Sequence, residues 1–307
     1  MVREDPIRLA VQAVPAGDAA AWAALARKVE DLGFFALYVA DHAGVTPDPF
    51  SALSAAAAVT STLRLGTYVL NAGLRDPLSV ASGAATVDAL SNGRMILGIG
   101  AGHTPAEWTM LGRPYPSAPA RVRHLVEVVD DVRALLRGEV VTSSQMHDAM
   151  LLSPRPVQDE IPLLIGGNGT RVLQLAGSSA DIVGMTGLGR TLADGHRHEA
   201  EWAPEAIDDR VAVVREAARR REHPPVFDAL VQDFQLTDDR NRVAEALASR
   251  VTGLEPADVL AAPYALLGTV DQLVEELVAH RARWGFTSYT VRADAIDAAA
   301  QVLATFH

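Results

Sequence analysis

Residues 161–171 read Ile-Pro-Leu-Leu-Ile-Gly-Gly-Asn-Gly-Thr-Arg, an apolar run that passes directly into a glycine-rich turn and then into a stretch of helical period. A strand that leads into a helix in this way is part of a βαβ unit, and repeated units of this kind build a parallel sheet. The same alternation recurs along the 307 residues of the chain. The pattern therefore predicts an α/β protein.

Eight strands, each followed by a helix, favour a closed (β/α)8 TIM barrel over an open sheet. The predicted strands cover residues 7–14, 34–40, 63–71, 95–100, 162–166, 181–186, 226–235 and 286–292, and the predicted helices cover residues 19–32, 49–61, 77–90, 120–137, 170–177, 204–221, 240–251 and 270–284. An open nucleotide-binding sheet would be expected to carry a glycine-rich turn after its first strand, where this chain has Val11-Gln12-Ala13-Val14-Pro15. We predict one barrel domain over residues 1–307, with insertions between the fourth helix and fifth strand (138–160) and after the sixth strand (187–203).

Composition limits the classes of function. Hydrophobic residues make up 49% and charged residues 21% of the chain, which is usual for a globular protein. The chain has no cysteine, which excludes disulfides, thiolate metal sites and a cysteine nucleophile. A formal net charge of −11 argues against a nucleic-acid partner. The N-terminal residues do not have the pattern of a signal peptide, and no apolar run is long enough to span a membrane, so we expect a cytoplasmic protein.

The turn after the fifth predicted strand is the clearest candidate binding site. Gly166, Gly167, Asn168 and Gly169 precede a helix that begins at Thr170. Backbone N–H groups at a helix start, with the positive end of the helix dipole behind them, bind anions, and glycine lets a phosphate approach closely. The alternative is a glycine-rich turn without a ligand. The turn lacks the Lys-Ser/Thr pair of a nucleoside-triphosphate loop, which disfavours ATP or GTP hydrolysis.

The strand ends also carry candidate proton-transfer groups, because the active site of a closed barrel lies at the carboxyl ends of its strands. His42 follows the second strand, and imidazole titrates near neutral pH, although a lone histidine there is often structural. His103 follows Gly98, Gly100 and Gly102 at the end of the fourth strand. These alternating glycines clear space either for a ligand or for a neighbouring helix.

The remaining polar residues near strand ends are weaker candidates. Small residues at Asn71-Ala72-Gly73 allow a flat ring to approach, or serve only to turn the chain. Gln12, Met185, Thr186, Gln232 and Arg292 are each interpreted as rim or packing residues when taken alone. His196 and His198 have a spacing found in metal sites, but no third ligand is apparent, so we predict a solvated loop and no metal.

A series of short motifs resembles the bacterial-luciferase-like monooxygenase superfamily nearly end to end. The motifs are Glu30-Asp31-Leu32-Gly33-Phe34, Ala40-Asp41-His42, Leu65-Gly66-Thr67, Arg75-Asp76-Pro77, Ala89-Leu90-Ser91-Asn92-Gly93-Arg94, Leu97-Gly98-Ile99-Gly100-Ala101-Gly102, Ile161 to Gly167, and Leu267-Gly268-Thr269. Each motif is short, but their order and spacing are specific. Residues 208–217, 229–239 and 263–270 are most similar to a group of probable F420-dependent oxidoreductases within the superfamily.

The resemblance implies a cofactor and a reaction. It implies coenzyme F420, a deazaflavin, and hydride transfer to or from a small organic substrate, with His42 beside the ring as a catalytic residue. His103 has no counterpart in the resemblance, and we predict it as a second catalytic residue that donates a proton, with a pocket-lining residue as the alternative. The alternatives are an FMN-dependent monooxygenase that uses reduced flavin and O2, and a non-catalytic flavin-binding barrel. Of the 27 basic residues 26 are arginine, which indicates the codon bias of a genome rich in G and C. This bias favours the deazaflavin. Related barrels often dimerise, so a homodimer is possible.

The resemblance also implies the cofactor contacts. The predicted contacts are Asp41, Asn71, Ala72, Gly73, Ala101, Gly102, Gly166, Gly167, Asn168, Gly169, Thr170 and Met185. A cis peptide bond is expected behind the ring, at Asn71-Ala72 or Ala72-Gly73. The chain departs from the family at His103, where a sugar-phosphate dehydrogenase of the superfamily has a glutamate. That enzyme's substrate and its acid/base assignment therefore do not transfer to this chain.

Overall fold

A computed structural model describes residues 6–191 and 198–306. The strands are β1 (Arg8–Ala13), β2 (Ala36–Val39), β3 (Arg64–Thr67), β4 (Leu70–Asn71), β5 (Met95–Gly100), β6 (Leu163–Gly166), β7 (Ile182–Met185), β8 (Leu188–Thr191), β9 (His198–Ala200), β10 (Val226–Leu230), β11 (Asp233–Leu236), β12 (Ala265–Gly268) and β13 (Phe286–Arg292). The α-helices are α1 (Ala19–Asp31), α2 (Pro49–Ala57), α3 (Pro77–Leu90), α4 (Pro105–Met110), α5 (Ala118–Arg137), α6 (Thr170–Ser179), α7 (Pro204–Ala218), α8 (Arg240–Ala248), α9 (Pro256–Ala261), α10 (Val270–Trp284) and α11 (Ile296–Leu303).

The sheet topology confirms the predicted fold class. One sheet runs in the order β3-β2-β1-β13-β10-β7-β6-β5-β4, and β3 also pairs with β5. Because β3 and β4 are two segments of one predicted strand, the sheet has eight members, and all eight predicted strands are present. Pairs such as Leu97 with Leu163 are parallel. The protein therefore has the (β/α)8 TIM-barrel fold.

The chain divides into two compact units, of which the first comprises residues 1–12, 31–35 and 167–307. Its parallel strands β7, β10, β13 and β1 bury apolar side chains such as Leu9, Val11 and Tyr289. The sequence fixes the ends of α10 locally. Thr269 and Gln272 form a reciprocal capping box at its start, and Gly285 ends it with φ +81°.

The second unit comprises residues 13–30 and 36–166. Its helices α2 and α3 begin in the same way, because Asp48 and Asp76 accept hydrogen bonds from the backbone N–H three residues later, at 2.9 and 2.8 Å, and each is followed by proline. Arg94, from the Ser-Asn-Gly-Arg motif, donates to the carbonyls of Ala57 and Leu63 at 3.1 and 2.7 Å. This motif therefore ties α2 to the start of β3 and has a structural role.

Several elements differ from the sequence prediction. Helices α4, α9 and α11 were not predicted, and the strand predicted at 226–235 is broken into β10 and β11, of which β11 pairs with β12. The insertion at 187–203 contains the antiparallel pair β8 and β9, and residues 192–197 within it lie outside the described part. None of the described helices combines the length and the apolar composition that a membrane span requires. The assignment of residues 1–307 to a single domain stays a prediction.

Candidate active site

The residue before His42 anchors one side of the candidate site in the second unit. Asp41 follows β2, is buried, and accepts hydrogen bonds from Nε and Nη2 of Arg75 at 2.7 and 2.8 Å. It also accepts one from the backbone N–H of Asn71, at 3.2 Å. The hydrogen bonds to Asp41 raise the pKa of the Arg75 guanidinium. Asp41 thus joins the end of β2 to the loop after β4, and its predicted contact with the cofactor stays a prediction.

His42 lies against a buried carboxylate. Its Nδ1 is 2.7 Å from Oε1 of Glu107, whose side chain is 3% exposed, whereas the His42 side chain is 41% exposed. The second carboxylate oxygen of Glu107 accepts a hydrogen bond from Nδ2 of Asn71, at 2.8 Å. An imidazole held by a carboxylate and still accessible on one side is suited to general acid/base chemistry.

The loop that holds Asn71 is packed so tightly that it fixes the amide. Asn71 Oδ1 accepts from the N–H of Gly73 at 3.1 Å. A Cβ on Gly102, whose φ is +72°, would lie 2.1 Å from the same oxygen, and a Cβ on Gly73 would lie 2.0 Å from the Trp108 ring. Ala72 is buried and donates to the carbonyl of Gly100 at 3.0 Å. These small residues are therefore required by packing within the loop, whatever ligand approaches it.

The predicted position of the cis peptide bond was wrong. The cis bond joins Tyr68 and Val69, between β3 and β4, whereas Asn71-Ala72 and Ala72-Gly73 are trans. A cis bond without proline has no local sequence signature, so the sequence could indicate the strand but could not fix the residue.

The glycines of β5 make room for neighbouring strands. A Cβ on Gly98 would lie 1.8 Å from the carbonyl oxygen of Thr67, and one on Gly100 would lie 2.9 Å from Val69 Cγ2. Gly166, at the end of β6, pairs with Gly100 and faces the same valine, 2.9 Å from Val69 Cγ1 to its ideal Cβ. The alternating glycines therefore allow close approach between strands, a use that differs from the ligand and the neighbouring helix that their spacing suggested.

His103 lies at the accessible edge of the same site. It is exposed, and its ring centroid is 6.0 Å from that of His42, with the two rings nearly perpendicular. Its carbonyl accepts from the hydroxyl of Tyr115 at 3.2 Å, and Arg121 donates to the carbonyl of Gly102 at 2.8 Å. Burial lowers the pKa of Arg121. The structure thus brings the two predicted catalytic histidines together, while Ala101 is half-buried beside them; their catalytic roles stay predictions.

The glycine-rich turn belongs to the first unit from Gly167 onward. The Gly167 N–H donates to the carbonyl of Gly184 at 3.0 Å, so this amide is already used within the unit. The Asn168 side chain donates to Thr186 Oγ1 and the Leu188 carbonyl, at 2.8 and 2.6 Å. The Asn168 side chain therefore attaches the turn to the segment that follows β7.

Gly169 and Thr170 remain the best anion-binding positions. Gly169 is the N-cap of α6, with φ −72° and ψ 140°, and no side chain caps the helix. Its ideal Cβ would meet no atom within 4 Å, so neither the backbone conformation nor packing requires glycine there. Both residues are exposed, and a phosphate could reach the helix start without a Cβ in its way. The turn therefore fits the phosphate of a flavin or deazaflavin cofactor.

Other candidates of the first unit form a polar row at strand ends. Arg292 donates to Gln232 Oε1 at 3.2 Å, and Gln232 donates to the Thr186 carbonyl at 3.3 Å. Gln12 pairs in register with Arg292 and is buried. Met185 is fully buried, so its predicted contact with the cofactor has the least support of the set.

No group of three or more metal-ligating side chains occurs among the residues that the structure describes. His196 lies outside the described residues, and for His198 only the backbone is described.

Glu107 contacts His42 but is not among the site residues predicted from the sequence. It lies in α4, a helix that was not predicted, although Thr104-Pro105-Ala106-Glu107 has the spacing of a capping box with proline at the first helical position. That pattern would have indicated a helix start at this point. It would not have shown that Glu107 contacts His42, which is 65 residues earlier in the chain.

Three comparisons relate this chain to known proteins. A family model described as luciferase-like monooxygenase matches residues 5–255. A curated protein of Intrasporangium calvum, named F420-dependent glucose-6-phosphate dehydrogenase, is 35% identical over 180 residues, which cover 54% of this chain and 53% of that protein. The chain thus spans about half the length of the curated relatives it matches.

Two solved structures share the fold along nearly the whole chain. The coenzyme F420-dependent tetrahydromethanopterin reductase of Methanopyrus kandleri has a TM-score of 0.78 and 22% identity, covering 99% of this chain and 100% of that chain. The monooxygenase RslO1 of Streptomyces bottropensis has a TM-score of 0.75 and 22% identity, covering 98% and 97% of the two chains. At these identities the similarity establishes the fold alone.

Proposed function

The chain belongs to the luciferase-like monooxygenase family, as its sequence motifs predicted, and we propose that it is an F420-dependent oxidoreductase that transfers a hydride to or from a small organic substrate. The observation that carries the proposal is the His42–Glu107 pair, in which a buried carboxylate holds an accessible imidazole at 2.7 Å. The name of the relative from Intrasporangium calvum supports the choice of F420.

Hydride transfer at an alcohol or carbonyl carbon needs a proton-transfer group. When an alcohol is oxidised, the carbon loses a hydride and the oxygen loses a proton, and the reverse holds when a carbonyl is reduced. The deazaflavin, when bound, accepts or supplies the hydride. His42 accepts the proton in the first direction and donates it in the second, and His103 lines the same site or shares this role.

The cofactor contacts of the two units are proposed separately. In the first unit, the N–H groups at Gly169 and Thr170 bind the phosphate, while Gly167 and Asn168 shape the turn. In the second unit, the residues around His42 orient the reacting atoms. The fit of the phosphate rests on Gly169, where neither the backbone nor packing requires glycine.

Titration of the purified chain with F420 and, in parallel, with FMN tests the proposal. We expect F420 to bind at micromolar concentration, as measured by the quenching of its fluorescence. FMN should bind more weakly. Tighter binding of FMN together with O2 consumption by the reduced complex would replace the proposal with a flavin-dependent monooxygenase. Binding without turnover of reduced or oxidised F420 by any alcohol or carbonyl compound in a panel would indicate a non-catalytic barrel.

A further inference from the structure

Glu107 stands at the end of a one-way series of hydrogen bonds in the second unit. The N–H of Gly73 donates to Asn71 Oδ1 at 3.1 Å, and Asn71 Nδ2 donates to Glu107 Oε2 at 2.8 Å. The other oxygen of Glu107 lies 2.7 Å from Nδ1 of His42. When Glu107 is ionised, its oxygens can only accept hydrogen bonds, and Nδ1 of His42 is then the donor in this pair.

The position of Glu107 in α4 supports a dedicated role. A glutamate at the third helical position after threonine usually reaches back to cap the helix start. Here the Thr104 side chain makes no capping hydrogen bond, and both oxygens of Glu107 are bound elsewhere, by His42 and Asn71. The start of α4 therefore lacks the hydrogen bonds of a capping box. The Glu107 carboxylate instead lies beside His42, where its side chain is only 3% exposed. Burial of a carboxylate is unfavourable unless it is well hydrogen-bonded, and these two bonds supply that compensation.

We propose that Glu107 is a positioning residue that holds His42 in the tautomer with hydrogen on Nδ1, and that Asn71 orients Glu107 for this purpose. Nε2 then carries the lone pair. If the proposed function holds, Nε2 takes the proton from a substrate hydroxyl as the carbon gives up its hydride, and the carboxylate stabilises the imidazolium that forms. In the reverse direction Nε2 returns the proton.

The substitution Glu107→Gln tests the assignment because the Asn71 amide cannot easily turn. The Asn71 Oδ1 accepts from the Gly73 N–H, and the close approach of Gly102 leaves no space for the amide to rotate. Nδ2 therefore continues to point at residue 107. The oxygen of the new amide must then face Asn71, and its NH2 must face His42. Nδ1 becomes an acceptor, and the hydrogen moves to Nε2. We expect ¹⁵N and ¹³C NMR of the cofactor-free protein to show this change of tautomer at His42.

A charge-conserving double variant supplies the rescue. In Glu107→Gln combined with Asn71→Asp, the carboxylate at position 71 accepts from the glutamine NH2, so the glutamine oxygen faces His42 again. The tautomer with hydrogen on Nδ1 should return. The matched control is Glu127→Gln, which removes a carboxylate 3.9 Å from Nδ1 of His124 on the exposed face of α5 and should leave His42 unchanged.

Kinetics separate this inference from the proposed function. With F420 and a substrate that turns over, Glu107→Gln should lower kcat about 100-fold or more and change the Kd for F420 less than twofold, and the double variant should regain part of the loss. Unchanged His42 resonances in Glu107→Gln, or no recovery of the tautomer in a folded double variant, would overturn the role of Glu107. Failure of the wild-type chain to bind F420 would overturn the proposed function and leave the NMR result standing.

Discussion

At the scale of single residues, one glycine in each unit illustrates a different reason for having glycine at a position. Gly102 is glycine because its φ of +72° and the Asn71 amide leave no room for a side chain. Gly169 has ordinary backbone angles and open space around it, so a substitution there should be tolerated by the fold. Gly169 therefore offers a way to separate a structural role from a role in ligand binding.

Gly169→Asp should affect stability and cofactor binding in opposite directions. Aspartate is a favoured N-cap, so we expect it to stabilise α6 by a few tenths of a kcal/mol. The same carboxylate would repel a phosphate at the helix start, and the Kd for F420 should rise about tenfold. Gly169→Ser is the matched neutral variant, which caps the helix and should keep most of the affinity. Thermal unfolding and F420 titration measure the two effects; equal affinity of the two variants would contradict a phosphate at this turn.

At the scale of elements, the stability of the second unit's sheet depends on the close approach of β3 and β5. Gly98 on β5 lies against the Thr67 carbonyl of β3, and Thr67 Oγ1 in turn donates to the Gly98 carbonyl at 2.7 Å. The glycine spacing was visible in the sequence, but it was compatible with a ligand or with a neighbouring helix. Only the pairing of β3 with β5 shows that the neighbour is backbone.

Gly98→Ala should lower the free energy of unfolding of the second unit. The new Cβ would lie 1.8 Å from the Thr67 carbonyl oxygen, so β5 and β3 would have to separate. Overpacking of this kind costs about 2–3 kcal/mol of unfolding free energy. Gly169→Ala is the control, since it adds the same methyl group in open space. Urea unfolding of both variants measures the difference, and equal stability would show that the close approach is not limiting.

At the scale of the whole molecule, a buried histidine of the first unit couples stability to pH. His280 on α10 is 5% exposed, and its Nε2 lies 3.1 Å from the Ala261 carbonyl at the end of α9. Burial lowers the pKa of His280 from 6.5 to about 4, although the hydrogen bond to Ala261 opposes the shift. The folded chain therefore binds this proton less readily than the unfolded chain.

Stability should fall as the pH drops from about 6.5 to about 4, since unfolding takes up the proton that the folded state excludes. The contribution of His280 to this loss is at most ~3 kcal/mol over the window. His280→Gln keeps a donor for Ala261 and cannot be protonated, so its unfolding free energy should depend less on pH. His147→Gln, at an exposed histidine, should keep the wild-type dependence. Parallel curves for wild type and His280→Gln between pH 7 and 4.5 would contradict this assignment.

The sequence was enough to predict the (β/α)8 fold, because hydrophobic period, glycine turns and helix caps such as Asp76 and Thr269 act over a few neighbouring residues. It also indicated His42 and the turn at Gly166 to Thr170, since both follow predicted strands. The contact of Glu107 with His42 and the ion pair of Asp41 with Arg75 became visible only in the folded chain. Those partners are separated by 65 and 34 residues, and such contacts depend on how the elements pack, which no local pattern records.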